Sequence, residues 1–106
     1  MKMKTVAFKM KLKPGTEAEY KKRHDEIWPE LKSLLKESGI SNYHIFLEEE
    51  SLSLFAVQQL NSNSTEATLP QHPLMKKWWT YMADLMETNE DHSPVVIPLK
   101  EVFYME

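Results

Sequence analysis

The chain of 106 residues predicts an α+β fold in which an antiparallel sheet carries two helices on one face. Three observations predict it. Stretches of two-residue apolar alternation are interleaved with stretches of helical period. The two central strands are joined by a turn short enough only for a hairpin. No linker or repeat divides the chain, so one domain is expected over residues 1–106.

Val6, Phe8, Met10 and Leu12 alternate with Ala7, Lys9 and Lys11, the pattern of a strand with one buried face. Pro14-Gly15 ends it. Thr16, with Glu19 three residues later, has the spacing of a capping box and predicts a helix start. The helix carries Tyr20, His24, Ile27, Trp28, Leu31, Leu34 and Leu35 as its stripe. Pro29 has no amide hydrogen to return to Asp25, so a kink or restart is expected inside it. Ser38-Gly39 closes it, with glycine just past the last turn.

Asn42 to Glu48 reads as the second strand, with Tyr43, Ile45 and Leu47 on one face and His44, Phe46 and Glu48 on the other. Leu52 to Leu60 is the third. There Leu52, Leu54 and Ala56 face one way, and Phe55 and Val57 the other. A strand apolar on both sides needs both faces of its sheet covered. One helix layer covers one face, so a partner chain is expected on the other.

Asn61 to Pro73 is polar and broken twice by proline, a loop with room for one short helical turn. Leu74 to Met86 is helical, with Leu74, Trp78, Tyr81, Met82 and Leu85 buried. Asn89 to Pro98 is irregular, and Leu99 to Met105 is expected as the closing strand. The order β-α-β-β-α-β is the split pattern of ferredoxin-like folds, which host many functions.

The formal net charge of -3 argues against a general nucleic-acid binder. The third strand also lacks the glycines and cation of the RNA-recognition motif. Lys21, Lys22 and Arg23 read as a solvated face, balanced by Glu48, Glu49 and Glu50. No apolar run approaches the ~20 residues of a membrane span, and no signal-peptide pattern opens the chain. With no cysteine, neither disulfides nor a thiol nucleophile are available, and a cytoplasmic protein is the simplest expectation. Glycine occurs only at 15 and 39, so no phosphate cradle exists, and no Gly-x-Ser-x-Gly elbow is present.

Reactions that need only a proton donor and acceptor remain, and four histidines are the candidates. His72 and His92 fall in loops and read as solvated. His44 lies on the strand face opposite Tyr43. None has metal-ligand spacing with another, so no metal site is expected. His24 stands four residues from Tyr20 on one helix face, beside an apolar stripe. Trp78 and Trp79 point ~100° apart on a helix, so one can pack inside while the other lines a cleft. A flat indole beside polar groups also suits the apolar face of a sugar.

Taken together, Glu19-Tyr20, His24, Ile27-Trp28-Pro29-Glu30-Leu31, Asn42-Tyr43-x-Ile45-x-Leu47, Trp78-Trp79-x-Tyr81-Met82, Ser93-Pro94 and Glu101-Val102-Phe103-Tyr104 resemble the L-rhamnose mutarotase family. The resemblance runs from Val6 to Tyr104. It implies a homodimeric α/β-barrel version of the ferredoxin-like fold and interconversion of the anomers of L-rhamnose without a cofactor. By it His24 is the proton donor, and Tyr20, Tyr43, Trp78 and Trp79 contact the sugar. The stretch Ser62 to Pro73 departs from the family's more regular helix through Pro70 and Pro73. A small dimeric-barrel oxygenase or haem-linked enzyme is the alternative on the same fold.

Overall fold

The computed structural model describes residues 3–106, so Met1 and Lys2 of the expected domain lie outside the described residues. The elements are β1 (Lys4–Lys11), α1 (Glu17–Asp25), α2 (Pro29–Glu37), β2 (Ile40–Glu48), β3 (Ser53–Leu60), a 3-10 turn (Glu66–Gln71), α3 (Pro73–Met82) and β4 (Ile97–Leu99). They build a small α+β structure on a four-stranded sheet of order β2-β3-β1-β4. Every neighbouring pair is antiparallel.

The register fixes the two faces, because residues paired across strands share a side. Phe8 pairs with Ala56 and Met10 with Leu54, while Ile45 and Leu47 pair with the same two β3 residues. This side meets the helices, and its core includes Leu12, Leu31, Leu54, Trp78 and Met82. On the other side Lys9 pairs with both Phe55 and Ile97, Phe46 with Phe55, and Ala7 with Val57 and Leu99. The alternation of β1, β2 and β3 is therefore as the sequence predicts.

The first helix is two helices. Trp28 sits at φ -59°, ψ 129°, the extended conformation that a residue before proline prefers. Pro29 then opens α2 at its first position, where a missing amide hydrogen costs nothing. The expected capping box does not form. Thr16 Oγ1 lies 2.8 Å from the carbonyls of both Lys13 and Leu85, so its hydroxyl donates there rather than capping α1. Glu19 is occupied by Arg23 Nε at 2.8 Å.

The second predicted helix, Leu74 to Met86, stops at Met82. The backbone beyond it is claimed by the end of β1: Lys13 N–H donates to Leu85 O, and Glu87 N–H to Lys11 O, both at 2.9 Å. Tyr81, expected in the buried stripe, is 44% exposed, its ring lying against Trp28, Trp78 and the Arg23 guanidinium. The closing strand predicted over Leu99 to Met105 is instead Ile97–Leu99, and Lys100 to Glu106 continues exposed without strand pairing. Alternation alone specifies a strand's faces and leaves open which neighbour, if any, it pairs with.

Gly39 follows α2 at φ +91°, and a Cβ there would stand 2.7 Å from Asn61 Oδ1 and 2.9 Å from Ser64 Cα. Gly15, at φ +81°, has open space around it. Gly39→Ala is therefore expected to cost roughly 2–4 kcal/mol, and Gly15→Ala only about 1 kcal/mol. Urea denaturation of the two variants checks this; equal midpoints would contradict the close packing at Gly39.

Candidate active site

Between the helix-facing side of the sheet and helices α1, α2 and α3 lies a cavity of about 1250 Å³. Tyr20, His24, Tyr43, Trp78 and Trp79 all border it. Five residues spread over three elements are thus brought to one site.

Each arrives there for a local reason. Tyr20 and His24 stack on α1 with ring centroids 4.4 Å apart. Trp78 on α3 meets His24 edge-on at 5.5 Å and Trp28 edge-on at 5.0 Å. Trp78 is buried and Trp79 half-buried, so the adjacent indoles divide as their helical angle requires. α3 itself begins with His72, whose Nδ1 accepts from Leu74 N–H at 3.1 Å, giving an exposed histidine a capping task.

Tyr43 depends on a bulge. Ile40 pairs with Leu60 and faces the helices, so an unbroken β2 would turn Tyr43 to the opposite side. The register slips between Ser41 and His44, with Asn42 at φ 46°, and the extra residue brings Tyr43, Ile45 and Leu47 to the cavity side. Asn42 Nδ2 holds the bulge by donating to Gln59 Oε1 at 2.6 Å.

The electrostatics separate the three titratable groups. His24 Nδ1 lies 3.1 Å from Tyr20 O. A carbonyl can only accept, so Nδ1 carries the hydrogen, and the neutral ring keeps a lone pair on Nε2. Burial lowers the His24 pKa below its ordinary 6.5, against smaller opposing effects of that hydrogen bond and of Asp25. Tyr20 is pushed well up, first by burial and then by the neighbouring Tyr43. Tyr43 is also raised by burial, with Gln58 acting the other way through a hydrogen bond. Tyr43 as a whole is 39% exposed, yet its phenol group is crowded by protein atoms inside the cleft. Around neutral pH the site therefore holds a neutral imidazole beside two protonated phenols.

Asp25 is an exposed partner of Lys21 at 2.8 Å, and Arg23 pairs with Glu19 and with Asp84 at 2.9 Å. Lys21 and Arg23 of the cationic turn are thus paired, Arg23 strapping α1 to the end of α3 and donating to Tyr81 O at 2.6 Å. Sequence reasoning missed Arg23 in this role, since only its Glu19 spacing is legible. It also missed Gln58, Glu17, Asp91 and Ser93 in the cavity wall. Gln58 carried a signal: it continues the inward-facing series Leu54, Ala56 with a polar side chain. Among the described residues no group of three or more His, Asp or Glu could hold a metal ion. Among the described residues no helix is long and apolar enough to cross a membrane.

Residues 5–105 match the family described as L-rhamnose mutarotase. The chain belongs to the L-rhamnose mutarotase family. It is 60% identical to the L-rhamnose mutarotase of Brucella anthropi over 93% of both chains. It is 53% identical to that of Formosa agariphila over 98% of this chain and all of the other. The crystal structure of L-rhamnose mutarotase from Formosa agariphila superposes with a TM-score of 0.90 at 52% identity, covering 97% and 99% of the two chains. Mutarotases are isomerases.

Asn42→Val is expected to destabilise the chain by about 1–2 kcal/mol and to turn Tyr43 from the cavity, because a β-branched residue resists positive φ. Asn42→Gly, which accepts the positive φ but loses the bond to Gln59, should keep Tyr43 in the cavity at a smaller cost in stability. Urea melts and a crystal structure of each variant check this; two variants that behave alike would remove the bulge from the account.

Proposed function

We propose that this chain interconverts the α and β pyranose anomers of L-rhamnose, with His24 as the proton-transfer group. The observation that carries the reading is the half-buried neutral imidazole whose Nδ1 is tied to Tyr20 O, beside two phenols that stay protonated.

Ring opening needs a base at the anomeric hydroxyl and an acid at the ring oxygen. His24 Nε2 takes the proton of the anomeric O–H. The C1–O5 bond breaks as the carbonyl forms, and Tyr20 O–H supplies the proton to O5. The aldehyde turns about C1–C2 and presents its other face. On closure O5 attacks C1 and returns its proton to Tyr20, while His24, now an imidazolium, acts as the donor to the new anomeric oxygen. Every proton is restored, and no metal, cofactor or covalent intermediate is required. Asp25 is a spectator in this scheme, held by Lys21 in solvent. Tyr43 completes the polar wall, and Trp78 and Trp79 supply apolar surface for the C–H face of the ring.

In the same reading the fold is ferredoxin-like, supported by the β2-β3-β1-β4 order. The active form is a homodimer of the α/β-barrel type, supported by exposed apolar residues on the sheet face away from the helices, Phe46 and Ile97 among them. A single domain working in the cytoplasm fits the absence of cysteine from the sequence.

His24→Ala is expected to lower anomer exchange of L-rhamnose, followed by saturation-transfer NMR, by roughly 10²–10⁴-fold, towards the buffer rate. Unchanged exchange in a folded variant would remove His24 from the chemistry. The wild-type pH profile tests its sign. Burial lowers the His24 pKa, so the neutral, active ring persists below pH 6.5. The enzymic rate should hold through neutrality and fall only as pH drops through that lowered value. A fall beginning above pH 6.5 would contradict the burial argument.

A further inference from the structure

The inward-facing series of β3 runs Leu54, Ala56, Gln58, Leu60, apolar except at Gln58. Gln58 stands where the sheet is deformed. Ser41 pairs with Gln59 and His44 with Val57, so two residues of β2, Asn42 and Tyr43, stand opposite Gln58 alone. The bulge therefore delivers Tyr43 to the cavity beside Gln58, and both line it. Gln59, next along the strand, has a structural task in accepting from Asn42 Nδ2. Gln58 has no such task, and among the described residues its amide bonds only the Tyr43 phenol. An amide offers two donors and two acceptor lone pairs, so most of its capacity is unused. Among the described residues Glu17 Oε1 is the one buried side-chain oxygen or nitrogen without a partner, so the Gln58 amide is not sealed in the core. It opens on the cavity.

A polar chain thus crosses the cavity from helix to sheet, His24 beside Tyr20, Tyr20 next to Tyr43, and Tyr43 against Gln58. We propose that Gln58 is a specificity-determining residue whose amide binds the hydroxyls at the C3–C4 edge of the sugar. The proposal rests on the reading of His24 above, which holds C1 at the opposite end of that chain. Neighbouring hydroxyls donate and accept, and one amide matches both. Charge develops at C1 and O5 during ring opening, not at C3 or C4. The contact is therefore equally strong before and during the reaction, and it acts on KM rather than kcat.

Saturation-transfer NMR over a concentration series, corrected for the buffer rate, gives KM and kcat for L-rhamnose and for its 3-deoxy and 4-deoxy analogues. The wild-type protein should prefer L-rhamnose over at least one analogue by roughly tenfold in kcat/KM, the worth of about one hydrogen bond. Gln58→Leu, of similar size, should raise KM for L-rhamnose by roughly tenfold, leave kcat within about threefold and erase that preference. Gln58→Glu keeps an acceptor and should recover part of it. An unchanged KM in Gln58→Leu overturns the contact. So does a preference that survives the substitution, which would leave Gln58 only a prop for Tyr43. Should Gln58→Leu fail to fold, the wild-type comparison still decides, since equal kcat/KM for all three sugars overturns the proposal. Failure of the His24 reading shows separately, as unchanged exchange in His24→Ala.

Discussion

The break between α1 and α2 at Trp28-Pro29 is the constraint from which the rest of the structure follows. A single straight helix from Glu17 to Glu37 would run about 30 Å along one axis. Its stripe would then be committed to the sheet along its whole length. The missing amide hydrogen of Pro29 and the extended Trp28 before it end α1 after Asp25 and let α2 start afresh. α2 buries Leu31 fully in the core. α1 is left free to carry Tyr20 and His24 along the wall of a cavity rather than into a closed interior. Trp28, at the joint, meets both Trp78 and Tyr81 of α3, so the break is packed rather than loose.

That placement determines the chemistry. An imidazole on an exposed helix would titrate near its free value and exchange tautomers. Here burial disfavours the charged ring, and one turn of helix supplies the Tyr20 carbonyl that holds the Nδ1 hydrogen. The same burial acts in the opposite direction on the phenols, keeping Tyr20 and Tyr43 protonated. One physical cause, removal from water, therefore leaves a neutral imidazole and two protonated phenols side by side. Arg23 keeps the wall in place by joining α1 to the Tyr81–Asp84 end of α3.

Much of this was legible in the sequence, because the signals were periodic or local. Alternation in β1, β2 and β3 predicted the correct faces, and the four-residue spacing of Tyr20 and His24 predicted a shared wall. Pro29 announced the break. What failed depended on partners distant in sequence. Thr16 looks like a cap until Leu85, far along the chain, claims its hydroxyl. α3 looks able to reach Met86 until Lys11 and Lys13 take the backbone beyond Met82. The bulge at Asn42 hides because alternation on its far side is intact, and only the parity between Ile40 and Tyr43 betrays it. The Val102–Met105 alternation is real, but no neighbouring strand receives it.

The central claim is that His24 is a neutral base with its hydrogen on Nδ1. Long-range nitrogen–proton correlation NMR of the ¹⁵N-histidine-labelled protein, titrated with pH, measures both parts directly. The account predicts a protonated Nδ1 and an unprotonated Nε2 for His24 at neutral pH, titrating below 6.5. A hydrogen on Nε2, or a pKa at or above 6.5, would contradict it.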